Sequence, residues 1–131
     1  MKRSLVLVAT IVALVVICAV VFTACVPSDY NKAAEKFESA GYKVAKSDSN
    51  VATAGVKLAI SALVKLTGDV QAQVTAVKDG SSATITYFTE KEDAKAYGEY
   101  LKNHQDEGSE TVIKVSGKAV FVGDEAAYKA L

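Results

Sequence analysis

Few residues in this chain have the types and spacing that chemistry requires. The one histidine, His104, sits in the segment NHQDEGSE beside Asp106, Glu107 and Glu110, a grouping that could hold a cation or supply an acid–base pair. A polar loop between a helix and a strand has the same composition. Nucleophilic catalysis also needs a base and an orienting partner around a Ser or Cys, and one loop histidine is a thin supply. Glu90, Glu92 and Asp93 form a second carboxylate group. They open a predicted helix, where the positive end of the dipole favours anions without any glycosidase chemistry. The two cysteines, Cys18 and Cys25, lie within and at the foot of one apolar run, so none is left downstream for a disulfide or a zinc cluster. No glycine loop of phosphate-binding spacing occurs. The expectation is a domain with no metal, no cofactor and no catalytic centre, with a small hydrolase as the weakest alternative.

Charge is distributed as unevenly as chemistry. Basic and acidic side chains balance at 15 each over 131 residues, but Lys2 and Arg3 fall in the first few positions and residues 5–24 carry no charge. Beyond that stretch 13 lysines face 15 acidic groups, and no arginine remains. Arginine's planar fork is the usual reader of phosphate, so no nucleic-acid partner is expected. A positive start, an apolar stretch and a small residue at its end describe a secretory signal peptide. Twenty uncharged residues would also cross a bilayer as a helix, with the positive start kept in the cytoplasm.

The tetrapeptide Phe22-Thr23-Ala24-Cys25 resembles the lipobox of bacterial lipoproteins, with Phe22 standing where an aliphatic residue is usual. The resemblance implies cleavage between Ala24 and Cys25 and a lipid on the Cys25 thiol. It also implies a domain held by the lipid bilayer at the extracytoplasmic face of the cell membrane. Val26 follows where an Asp often retains lipoproteins at an inner membrane, which leaves an outer membrane open as a destination in a host that has one. Residues 1–24 are then the signal peptide, 25–29 the lipidated cysteine and a short tether, and 30–131 a small α+β domain. Pro27 ends any continuing helix, and Ser28 or Asp29 can cap a new one. Lys32, Lys36, Lys43 and Lys46 are the cations nearest the tether and so the candidates for anionic head groups. The alternative is a single-span anchor in which the helix over 5–24 stays uncleaved, with the domain on the same side.

The domain alternates helical and strand periods. Tyr30, Ala33, Ala34 and Phe37 predict a helix over 30–40, followed by a strand over 42–47. Lys57, Ser61 and Lys65 form one polar stripe on an otherwise apolar segment, which predicts a mostly buried helix over 54–66 between Thr53 and Gly68. Period two from Val70 and again over 83–88, with KDGSS between, predicts two strands and a turn. Thr89 and Glu92 have the spacing of a capping box for a helix over 90–103 carrying Ala94, Tyr97 and Leu101. Strands over 111–115 and 118–122 flank Ser116-Gly117, and Gly123-Asp124 opens a last helix. The central order, βαββαβ, resembles that of ferredoxin-like folds. It implies an antiparallel sheet with helices mainly on one face, plus an N-terminal helix and a C-terminal hairpin strand and helix.

On such a sheet the face away from the helices would carry Gln71, Gln73, Thr75, Thr84 and Thr86, and Phe121 would join them by alternation along with Val77, Phe88 and Val112. Amides and hydroxyls beside aromatic rings could grip an extended peptide, a glycan, an envelope protein or a second copy. The sequence therefore points to a membrane-anchored lipoprotein acting as a non-catalytic binding or structural accessory domain.

Overall fold

A computed structural model describes residues 26–131. The expected signal peptide, the expected cleavage at Ala24 and the expected lipid attachment at Cys25 lie outside the described residues. The fold itself begins at once. Val26 is buried in the core, the Pro27 carbonyl accepts a 2.7 Å hydrogen bond from the Tyr87 hydroxyl, and Asp29 caps the first helix by accepting from the Asn31 amide. The domain thus starts four residues before the expected boundary, and the segment expected to be a tether is part of the fold.

The elements run α1 (Tyr30–Ser39), β1 (Lys43–Ser47), α2 (Asn50–Ser61), β2 (Val70–Lys78), β3 (Ser81–Phe88), α3 (Lys91–Asn103), β4 (Val112–Ser116), β5 (Ala119–Gly123) and α4 (Glu125–Lys129). The fold is α+β, and the βαββαβ order from β1 to β4 is the one a ferredoxin-like core requires. In the sheet the strands lie in the order β1-β2-β3-β5-β4, with every neighbouring pair antiparallel. β1 therefore sits at one edge beside β2, and β5 enters between β3 and β4.

Local chemistry fixes the ends of these elements. α1 stops at Gly41, whose φ of 90° suits a residue without Cβ. The Tyr42 and Gly41 amides bond back to the Phe37 and Glu38 carbonyls. The Phe37 and Tyr42 rings then meet at 5.5 Å, the apolar contact that accompanies this kind of helix end. The β2–β3 hairpin turns on Asp79-Gly80, both at positive φ, as a two-residue turn matched to strand twist demands. The second hairpin turns on Gly117-Lys118, with Ser116 paired to Ala119, one residue later than expected.

Two cores form, one on each face of the sheet. On the first face Ala72, Val74, Ala76, Ala83, Ile85, Tyr87, Ala119 and Phe121 pack with Ala33, Ala34 and Phe37 of α1 and with Ala127 of α4. On the second face Val70, Phe88 and Val120 pack with Ile60 of α2 and Ala94 of α3. Both helices of the βαββαβ unit thus share one face, and the terminal helices cover the other. Val70 and Ala72 belong to different faces because a bulge at Gln71 shifts the register between them.

α2 differs from the expectation. It starts at Asn50 with Ser49 as its cap and ends at Ser61, several residues earlier at each end. Only Thr53 and Ile60 are buried within it. A helix apolar on two sides needs two partners to be mostly buried, and here it has one.

Candidate functional site

Strand register decides which of the expected binding residues meet. Gln73 pairs with Thr86 and Thr75 with Thr84, so these four form a contiguous block on the second face. The Gln73 amide donates to the Thr86 hydroxyl at 3.2 Å, and Thr86 is buried. Thr75 and Thr84 are half-buried, and the row beside them carries exposed Ala45 and Val77. The block lies on the same face as α2 and α3, not on a face free of helices; that correction follows from α1 and α4 occupying the other side.

Phe121 and Gln71 do not join this block. Phe121 pairs with Ile85 and Lys114, is 0% exposed, and sits on the first face, where its ring meets Tyr128 of α4 edge-on at 5.2 Å. It is a core residue and has no surface to offer a ligand. Of its expected companions, Val112 lies on the first face and Phe88 on the second. Gln71 projects from the bulge into a small cleft with Ser28, Tyr87 and Lys118 at the edge where the chain enters. What remains of the expected face is a strip of hydroxyl and aliphatic groups. Such groups can accept or donate hydrogen bonds to an extended partner, and none of them is a base or a nucleophile in waiting.

The histidine loop does not assemble a site either. His104 ends α3, stacks on the Tyr100 ring at 4.0 Å and uses Nδ1 to donate to the Tyr100 carbonyl at 2.8 Å. Its ring thus finishes the helix by satisfying one of the last carbonyls. Asp106, Glu107 and Glu110 stand exposed around it. Among the described residues no three His, Cys, Asp or Glu side chains are grouped so as to hold a metal ion. Of the lysines nearest the start of the domain, Lys36 donates to the Leu131 carbonyl and Lys46 to the Asn31 side chain.

The buried carboxylate is Asp93. It is 1% exposed and accepts from the Thr67 amide at 2.8 Å, the Thr67 hydroxyl at 2.9 Å and the Gly68 amide at 2.8 Å. Burial alone would push its carboxyl up, but these donors and the nearby Lys57 charge hold it below the usual carboxylate range. Asp93 therefore clamps the α2–β2 connection to the start of α3, a structural duty. Gly68 is required there, because a Cβ would stand 2.5 Å from the Thr89 hydroxyl and 2.6 Å from Glu90. Thr89 is occupied with Asp69, accepting from its amide at 2.8 Å, so the expected capping box with Glu92 does not form. The dipole explanation of this acidic group overlooked one signal. Asp93, Tyr97 and Leu101 recur every four residues, which puts a carboxylate on the inward stripe of α3.

Asp124 plays a similar part at α4. Ser81 donates to it at 2.7 Å, the Ala127 amide at 2.8 Å and the Ser82 amide at 3.0 Å. The Ser81 hydroxyl, the Ala127 amide and the Ser82 amide together hold its carboxyl low against the opposing effect of burial. The Tyr87 hydroxyl is pushed the other way by burial and by the Asp29 charge.

A cleft of about 450 Å³ lies between α2 and the start of β2. Thr53, Lys57 and Leu58 line one wall, with Asp69 and Val70 opposite. Its charged feature is the Lys57–Asp69 pair at 2.6 Å, largely exposed to solvent. Such pairs contribute about 0–1 kcal/mol and neutralise each other.

The chain matches no protein-family model, no curated protein and no solved structure. Among the described residues no helix is long and apolar enough to cross a membrane.

Proposed function

We propose that this protein is a bacterial lipoprotein, anchored through acylated Cys25 at the extracytoplasmic face of the cell membrane. Its domain serves as a non-catalytic binding or structural accessory. The observation that carries the reading is the junction at residues 24–26. The 20 charge-free residues 5–24 end at Ala24, immediately before Cys25, and Val26 is already buried in the domain. A chain cut at Cys25 would leave the anchor directly on the fold, with no spare residues on either side. The non-catalytic part is supported by the engagement of His104 in a helix end and of Asp93 and Asp124 in clamps. The strip around Thr75 and Thr84 is the surface with hydrogen-bonding groups for a peptide, glycan or envelope protein.

Cys25→Ala tests the anchor. The variant should lose metabolic acyl label and persist at precursor mass, while the wild-type mature N-terminus carries the lipid on Cys25 by mass spectrometry. Unchanged labelling and size in the variant would remove the lipoprotein reading. The length of residues 5–24, enough to span a bilayer, favours a second reading as an uncleaved single-span anchor. In that case neither form is labelled and both remain at full mass in the membrane fraction.

A further inference from the structure

The two edges of the sheet are not alike. β1 closes one side and β4 the other. On β4 the turn at Gly117-Lys118 fixes which backbone groups face outward. Ser116 and Ala119 close that turn, so Ser116, Lys114 and Val112 bond to β5, while Ile113 and Val115 between them do not. The other side of β5 agrees with this alternation. There the Phe88 amide donates to the Lys118 carbonyl and the Asp124 amide to the Ser82 carbonyl. The amides and carbonyls of Ile113 and Val115 therefore point away from the sheet, with no partner among the described residues. β1 carries Lys43 and Lys46 along its edge, a usual defence against a visiting strand. β4 has only Lys114, which leaves the edge to lie 5.9 Å from the centre of the Tyr128 ring on the first face.

A stripe of lysines overhangs this open edge. α3 rests on β4 at Gly98, where a Cβ would collide with the Val115 side chain, so helix and strand approach closely. At 3.6 residues per turn, Lys91, Lys95 and Lys102 share the line of Gly98. Ala94, Tyr97 and Leu101 face the core, and Asp93 reaches the α2–β2 connection on the opposite flank. The lysine line is thus the flank of α3 beside the edge, and Glu92 and Glu99 lie further round, turned from the sheet. With Lys114 and Lys118 of the β4–β5 hairpin, five exposed lysines surround the edge. None of them is in an ion pair; among the described residues those pairs are Lys57–Asp69 and Lys129–Glu125.

We propose that the β4 edge binds an extended acidic segment of a partner protein, which adds to the five-stranded sheet as a further strand. Two independent observations select this occupant. The outward amides and carbonyls of Ile113 and Val115 are matched in full by another extended backbone. Side chains of that strand on the α3 side stand beneath Lys95 and Lys102, so Asp or Glu at every second position meets a cation. Asp106, Glu107 and Glu110 crowd the loop before β4 and repel acid there, which confines the recognised stretch to the length of β4. A second copy fits less well. Pairing both outward residues of each chain sets Ile113 against Val115 of the other copy and brings the two Lys114 side chains directly opposite, where like charges destabilise. This surface is separate from the strip around Thr75 and Thr84, and its use does not depend on the lipid anchor.

The probe is a fluorescein-labelled, end-capped peptide alternating glutamate with valine, compared with its lysine-for-glutamate counterpart. Titrated into full-length protein in neutral detergent micelles, the acidic peptide should bind at least about tenfold more tightly by fluorescence anisotropy. Amide hydrogen exchange should slow at Ile113 and Val115 and stay unchanged at Lys114. The double variant K95E/K102E, altered only at exposed positions, should reverse the preference between the two peptides. A control leaves the protein untouched: an acidic peptide methylated on every backbone nitrogen keeps its charge but cannot donate to the edge. Equal binding of that peptide means a site for any polyanion, and the proposal fails. Absence of binding, or binding that leaves Ile113 and Val115 unprotected, overturns it as well. If sedimentation in density-matched detergent shows a dimer that Ile113→Pro converts to monomer, a second copy occupies the edge and the proposal is wrong.

Discussion

α1 and α2 are of similar length, ten and twelve residues, and each lies on the sheet, yet they meet solvent with opposite chemistry. α1 buries Ala33, Ala34 and Phe37 and turns Lys32, Glu35 and Glu38 outward. It is tied at both ends, by the Asp29 cap and by the bonds around Gly41. α2 buries Thr53 and Ile60 and turns Val51, Leu58, Ala59 and Ala62 outward. The connection after it is held from outside, by Asp93. One helix is sorted by polarity so that a single contact satisfies it. The other carries more apolar surface than the domain can cover.

The most damaging way to test the contrast is to hollow out the α1 side. Phe37→Ala removes a fully buried ring and should cost about 3–5 kcal/mol, read as a lowered midpoint in urea unfolding. An effect no larger than that of an α2 surface change would erase the distinction. Next comes the clamp that serves α2. Asp93→Ala removes a buried carboxylate and strips the partner from the part-buried Thr67 and Gly68 amides, and lost hydrogen bonds to a charged group cost about 1.5–3 kcal/mol. The same carboxyl gives the wild type a pH signature. Its folded pKa lies below the ordinary value, so its stabilisation is complete above the ordinary carboxylate range and is lost as pH falls through the depressed value. Asp93→Asn should therefore flatten the acid limb of stability against pH; an unchanged limb would show that the clamp does not depend on charge. The smallest effect belongs to the outer side of α2. Leu58→Ser should leave stability in solution within about 0.5 kcal/mol, because no core contact is removed.

The sequence made α1, the β2–β3 hairpin and the span of α3 legible for a common reason: each is specified by neighbours within a few residues, although the second hairpin turned one residue late and the capping box of α3 did not form. Asp29, Gly41 and Asp79-Gly80 carry their own geometry, and Phe37 announces its face by spacing. α2 misled because two-sided apolarity reads as burial when the number of partners is unknown. Phe121 misled because alternation fixes sides only within one strand. Placing it beside Thr84 needed the β3–β5 register, which depends on a hairpin turn at Gly117-Lys118 and on long-range pairing. The bulge at Gln71 had the same effect within β2 by sending Val70 and Ala72 to opposite faces. Of the expected binding block, the two-strand square of Gln73, Thr75, Thr84 and Thr86 survived because both strands flank one tight turn.

The Tyr87–Pro27 bond has a mechanical consequence. Tyr87 belongs to β3, which has hydrogen-bonded strands on both sides, and it also meets the Tyr30 ring at 6.0 Å. A pull on the chain ahead of Val26 is therefore met first by the burial of Val26 and by this one hydrogen bond to the sheet. Only after that grip fails can the load reach α1 and peel it away turn by turn.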